Sequence, residues 1–247
     1  MPRKILGWTA AVAVTASLAA PVQAATLLHS YTFASNASDG TGSMNGTLFG
    51  FATVTAHALD LAPSMAYVEL SGFAIPSSNY SIALWVKGGP QSPGLFTEFI
   101  SQNAGGGNGA YIGTDPNNII RLGDQILNSG VTFAADNQFH HYAFTAGVTD
   151  SRFYVDGVLA GVYGPLVPQT LSGSPTRFGR QFSPHNEQFI GQLDDIFIYS
   201  GALTAGEVFT VSSSRTTGAV VAAPEPVSLL LFGSGLAGLT VARRRRR

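Results

Sequence analysis

From Ala25 to about Ser212, apolar and polar residues alternate in short runs that Gly, Pro, Asn or Asp interrupts every 8 to 12 residues, and no long stretch repeats at the helical period. Tyr80 to Lys87 is the clearest run. Ile82, Leu84 and Val86 fall on one side and Ser81, Ala83, Trp85 and Lys87 on the other, as in a half-buried strand. Phe139 to Val148 predicts another strand. Ser151 to Val155 and Val158 to Ala160 flank Asp156-Gly157, a pair that tolerates the positive φ angles of a tight hairpin turn. Gln188 to Tyr199 predicts a further long strand, and Thr204-Ala205-Gly206-Glu207 a capping box that opens a short helix through about Val211. Gly105-Gly106-Gly107-Asn108-Gly109 is followed by no helix pattern with Lys-Ser/Thr, so it reads as a hairpin loop and not a phosphate cradle. Together these signals predict an all-β fold, a two-sheet antiparallel sandwich over residues 25–212.

Two apolar runs stand outside this pattern. Arg3 and Lys4, the run Ile5 to Ala20, Pro21 and Val22-Gln23-Ala24 follow the order of a signal peptide, which predicts removal of residues 1–24 and a mature chain beginning at Ala25. Near the other end, Val227 to Ala242 lies between Pro224-Glu225-Pro226 and Arg243 to Arg247. Its 16 residues are few for a span. Snorkelling arginines and local thinning still allow a single transmembrane helix, with the arginines on the cytoplasmic side and residues 25–223 on the other. Residues 213–223 are small and polar and read as a flexible tether.

Composition narrows the function. The chain has 247 residues, 11% of them charged, and no cysteine, which excludes disulfides, thiol nucleophiles and cysteine-ligated metals. The formal net charge of −1 hides an uneven distribution, since residues 25–223 hold six basic side chains against thirteen acidic ones. That acidic balance excludes nucleic acid as a partner and suits cations or neutral ligands.

The tail Pro224-Glu225-Pro226, the glycine-interrupted apolar run and Arg243, Arg244, Arg245, Arg246 and Arg247 together look like a PEP-CTERM sorting signal over residues 224–247. The resemblance implies a Gram-negative host that makes exopolysaccharide or biofilm matrix. It also implies processing by an exosortase, with Pro224, Glu225 and Pro226 as the recognition element. Two prolines keep such a segment extended and accessible beside the bilayer.

A second resemblance spans Leu27 to about Val211. It rests on Tyr31-Thr32-Phe33 leading to Asp39-Gly40-Thr41-Gly42 and Asn45-Gly46-Thr47, and on Ala58-Leu59-Asp60-Leu61 before Tyr67-Val68-Glu69-Leu70. It rests also on Ser81 to Lys87, on Phe139-His140-His141 followed by Phe153 to Gly157, and on Gly191 to Tyr199 running to Ala202-Leu203-Thr204 and Glu207. These places resemble the laminin-G-like branch of the concanavalin A-like jelly rolls, in its laminin-G-3 form, with Phe139 where that family usually has tryptophan. The resemblance implies a jelly-roll sandwich and fixes fold better than ligand.

Candidate chemistry is sparse. Asp39 and Asn45, joined by Asp194, offer oxygen ligands for a structural calcium ion of the kind related domains often carry; the same side chains also suit turns that bond their own backbone. Adjacent Asp194 and Asp195 should face opposite ways along a strand, so only one of them would join any single site. The same parity keeps His140 and His141 from chelating one ion, and one of the pair is expected to be buried and hydrogen-bonded. His29, His57 and His185 are isolated. The Glu-x-Asp-x-x-Glu pattern that would set a glycosidase's carboxylates on one strand face is missing, and Glu69, Glu98, Glu187 and Glu207 lie singly. Tyr111, Trp85, Tyr163 and Phe182 are candidate stacking faces for sugar rings, with packing in the core the alternative reading of each.

The resulting expectation is an exported, non-catalytic binding or adhesion domain. Its membrane helix would hold it until processing, and it would then reach the cell surface or matrix with a glycan or surface protein as ligand. A glycan hydrolase or lyase, and a purely structural matrix protein, are the alternatives.

Overall fold

The computed structural model describes residues 24–62, 65–92, 94–103, 108–182 and 187–215. The expected signal peptide, Pro224 to Pro226, the apolar run 227–242, Arg243 to Arg247, Gly105 to Gly107 and His185 lie outside the described residues. Among the described residues no helix is long and apolar enough to cross a membrane.

The strands in chain order are β1 (Thr26–Tyr31), β2 (Gly46–Phe49), β3 (Thr53–Thr55), β4 (Ala58–Asp60), β5 (Tyr67–Leu70), β6 (Tyr80–Lys87), β7 (Thr97–Gln102), β8 (Ala110–Thr114), β9 (Ile120–Leu122), β10 (Phe139–Ala146), β11 (Ser151–Val155), β12 (Val158–Tyr163), β13 (Arg177–Phe178) and β14 (Gln192–Ser200), followed by α1 (Ala205–Ser213). They form two antiparallel sheets. The larger runs β12-β11-β10-β6-β14-β4-β3, with β1 also on β14, and the smaller runs β2-β5-β13-β7-β8-β9. The two-sheet antiparallel sandwich expected from the alternating pattern, which the laminin-G-like resemblance makes a jelly roll, is the fold.

Alternation explains the layers. Ile82, Leu84 and Val86 of β6 enter the main core between the sheets, against Val68, Phe99, Ile100, Ile112, Tyr142, Phe178 and Ile198. Ala83 faces outward into a second cluster with Ala143, Tyr154, Phe197, Tyr199, Leu203, Val208 and Val211, so α1 lies on the outside of the larger sheet. The capping box forms as the spacing predicts: the Glu207 amide donates to Thr204 Oγ1 at 3.3 Å, and the Thr204 amide donates to Glu207 Oε2 at 2.7 Å. Asp156 and Gly157 both take positive φ, 51° and 78°, which closes the β11–β12 hairpin.

Two strands have a boundary displaced from where the pattern puts it. β10 stops at Ala146, where the Gly147 amide turns to the Asp150 carbonyl at 2.9 Å. β14 begins at Gln192 and not Gln188, because residues 187–191 cross between the layers. Gln188 bridges Glu98 and Arg180 on the smaller sheet, and the next residue, Phe189, is buried in the core. At the far end α1 runs to Ser213, and Arg215 donates to Asp194 Oδ2 at 3.1 Å, so the described start of the expected tether is docked.

Candidate functional site

The outer face of the smaller sheet collects aromatic rings and guanidinium groups from distant segments. Register places Thr47, Glu69, Arg177, Ser101 and Tyr111 in one row across β2, β5, β13, β7 and β8, with their neighbours Val68, Phe178 and Ile100 turned into the core. The next row pairs Phe49 with Tyr67, and Gly113 with Glu98 and Arg121. Phe49 and Tyr67 stack at 4.9 Å and 8°. Arg177 lies 4.4 Å from the Tyr67 ring centre and 3.6 Å from that of Phe182, and donates to Glu69 Oε2 at 2.7 and 2.8 Å. Arg180 stands 5.7 Å from Tyr67. Flat rings and planar cations alternate here with exposed edges, an arrangement suited to the apolar faces of sugar rings.

Farther along the same face, Arg121 is held between the rings of Phe96 and Tyr111 at 4.1 and 4.8 Å. It donates to Glu187 Oε2 at 2.7 Å and also to Glu98 Oε1. Glu98 has no exposed surface. Burial pushes its carboxyl well above the usual range, Arg121 opposes that, and the charge of Glu187 adds to it. Gly113 makes the room: a Cβ there would sit 2.5 Å from Glu98 Oε2 and 2.0 Å from the Thr97 carbonyl. This convergence escaped the sequence because residues 98, 121 and 187 share no spacing, and the two glutamates looked solitary. A groove of about 400 Å³ opens beside it, lined by Leu95, Phe96, Thr97, Glu187, Gln188 and Ile190.

Sequence comparison adds the family. The model of the concanavalin A-like lectin/glucanases superfamily, in its laminin-G-3 form, matches residues 63–209. The chain belongs to this superfamily. A second model, the PEP-CTERM protein-sorting motif, matches residues 222–247, so the chain ends in a sorting signal for export to the cell surface. No curated protein matches in sequence. Among solved structures, the chain is similar to domain 4 of AbnA, a GH43 extracellular arabinanase from Geobacillus stearothermophilus in complex with arabinotriose. That match has 20% identity and a TM-score of 0.57, and covers 77% of this chain and all of that one. The binding domain of Paraclostridial Mosquitocidal Protein 1 matches at 17% identity and TM-score 0.58 over 76% of this chain and 52% of its own. A Trypanosoma rangeli sialidase mutant displaying trans-sialidase activity matches at 13% and 0.60 over 78% of this chain and 34% of its own. At these identities the likeness is one of fold.

The other candidate residues of this concanavalin A-like domain serve mainly as braces. Asp39 and Asn45 do come together, the Asp39 amide donating to Asn45 Oδ1 at 2.9 Å. The Asp39 carboxylate accepts from the amides of Ser30, Thr41, Gly42 and Met44 and contacts His29 Nδ1 at 2.6 Å. Burial raises its pKa, but the amides and His29 outweigh this and hold it below the usual carboxylate value. A calcium ion at this loop would have to draw Asp39 away from those five groups. Asp194 is engaged elsewhere, with Arg215, and among the described residues no group of three His, Asp or Glu side chains is placed to hold a metal.

The parity expected at Asp194-Asp195 does not hold. Two residues of β14, Asp195 and Ile196, stand against the single Leu84 of β6 between the pairs Asp194–Trp85 and Phe197–Ala83, Asp195 takes a φ of 44°, and both aspartates are buried. The histidine pair also differs from expectation. His141 is the buried one, yet both its ring nitrogens lack hydrogen-bond partners, whereas His140 sits between Asp156 at 2.8 Å and Asp136 at 3.2 Å. Of the expected stacking residues, Phe182 lies on the aromatic face and Tyr111 is buried there under Arg121. Tyr163 instead donates to the Ser129 carbonyl at 2.8 Å, and Trp85 packs against His141 on the other sheet.

Proposed function

We propose that this chain is an exported, non-catalytic glycan-binding domain of adhesion type. An exosortase processes its C-terminal motif at the membrane and delivers it to the surface or exopolysaccharide matrix of a Gram-negative bacterium. The observation that carries the binding reading is the stacked Phe49–Tyr67 pair, continued through Arg177 to Phe182, on an outer sheet face beside a groove. A related fold in complex with arabinotriose supports a saccharide as ligand. The hydrolase alternative would draw on Glu98 and Glu187. Glu98, with no exposed surface and capped by Arg121, has no line to a scissile bond.

Binding is tested by screening the purified protein against neutral and acidic oligosaccharides. Tyr67→Ala should weaken a glycan ligand by about tenfold, roughly 1.4 kcal/mol; a full panel without any ligand would favour a purely structural matrix protein. Sorting is tested separately. Replacing Pro224 and Glu225 by alanine in a host with exosortase should leave uncleaved, membrane-retained protein, which mass spectrometry of the termini detects. Unchanged processing would remove the exosortase from the account.

A further inference from the structure

Every other arginine of the described domain meets a carboxylate: Arg121 meets Glu98 and Glu187, Arg152 meets Asp150, Arg177 meets Glu69 and Arg215 meets Asp194. Among the described residues Arg180 meets none, although acidic side chains outnumber basic ones thirteen to six. Its Nε is buried and has no hydrogen-bond partner. That buried nitrogen is closed to a ligand, but the side chain as a whole is partly exposed, so its terminal nitrogens carry an unneutralised charge that an incoming oxygen can reach.

Its surroundings identify that oxygen. The backbone of Arg180 bridges Gln188 on the rim of the groove, and its guanidinium lies 5.7 Å from the Tyr67 ring at the centre of the stacking face. The nearby carboxylates do not compete, because Arg177 holds Glu69 and Arg121 holds Glu98 and Glu187. Three of the domain's six basic residues are gathered on this one face, although the domain as a whole is acidic. An acid can therefore approach here with its ring on the aromatic groups and its charge on the unpaired cation.

We propose that the ligand of this face is a saccharide bearing a uronic-acid carboxylate, and that Arg180 is the residue that reads the acid. The proposal rests on the glycan-binding reading and narrows it to a chemical class. It also explains how an acidic domain holds on to a polyanionic matrix: this face presents to it a guanidinium that no carboxylate neutralises.

The test uses the purified full-length chain in mild detergent, titrated calorimetrically with tetragalacturonate and with its methyl ester, which keeps the sugar rings and removes the charge. The acid should bind at least about tenfold more tightly than the ester, with a preference that shrinks as salt is raised. Arg180→Gln should erase the preference, so that acid and ester bind alike. Arg180→Lys, which keeps the charge, should retain part of the preference and shows that loss in the glutamine variant is not loss of fold. Tyr67→Ala should weaken acid and ester together. Equal affinity for acid and ester, or a preference that survives Arg180→Gln, overturns the role of Arg180 and leaves glycan binding intact. Failure to bind either oligosaccharide overturns the acidic-ligand assignment, and the neutral members of the glycan panel then decide the broader reading.

Discussion

Phe178→Ala should destabilise the domain by about 3 to 5 kcal/mol, the usual cost of truncating a fully buried ring to a methyl group. Phe178 has no exposed surface and packs edge-on against Tyr31 at 4.9 Å and Phe33 at 6.4 Å. Its strand, β13, has only two residues, yet it joins β5 to β7 and so holds the two halves of the smaller sheet together. The other residue of that strand is Arg177, the centre of the aromatic face, so the substitution should cost ligand binding as well as stability. For a domain of this size the melting temperature should fall by on the order of 10 °C. Phe178→Leu, which refills most of the volume, should cost much less. If the alanine variant melted within a degree or two of wild type, β13 would not be the keystone the register makes it.

The second large effect concerns acid. His141 lies on β10 opposite Trp85, its ring edge-on to the indole at 5.3 Å. Burial lowers its pKa to about 4, with only the charge of Asp156 opposing. An unfolded histidine binds its proton near pH 6.5, so between pH 6.5 and about 4 the unfolded chain holds a proton that the folded one refuses. Stability therefore falls as pH drops through that window, by about 3 kcal/mol for a shift of this size, and the loss levels off below it. Glu98 and Asp194, whose pKa values are raised, work in the opposite direction and favour the folded state as pH falls. They are common to wild type and variant, so the difference between the two isolates the histidine. His141→Phe, a ring of similar shape with nothing to protonate, should abolish this part of the acid loss when urea unfolding is followed from pH 7 to pH 4. Parallel pH profiles for the two proteins would show that His141 takes up its proton without cost in the fold.

Much of the fold was legible along the chain because its signals are local. The alternation in Tyr80 to Lys87 became β6 with the predicted face inward, Asp156-Gly157 closed its hairpin, and Thr204 with Glu207 capped the helix. Each depends on residues within a few positions of one another. Alternation failed at Asp194-Asp195, where one additional residue in β14 breaks the period of two, and the composition of that strand carries no mark of the bulge. It failed also in placing the start of β14, since a segment that crosses between sheets is as apolar as a strand.

The candidate site was not legible, for the opposite reason. Phe49, Tyr67, Arg121, Glu187 and the pair Arg177 and Arg180 come from five separate segments, and each alone looks like an ordinary surface residue. The pattern of apolar and polar positions by itself determined an all-β sandwich and the course of its main hairpin, because side-chain parity and turn chemistry are properties of neighbouring residues; the sorting tail was legible from its resemblance to a known motif. Only the tertiary structure decided that Arg121 seals Glu98, that His141 is buried unpartnered, and that Arg180 alone among the described arginines lacks a carboxylate. Those outcomes depend on which strands lie side by side, and strand order is set by packing across the whole core and not by any short stretch of chain.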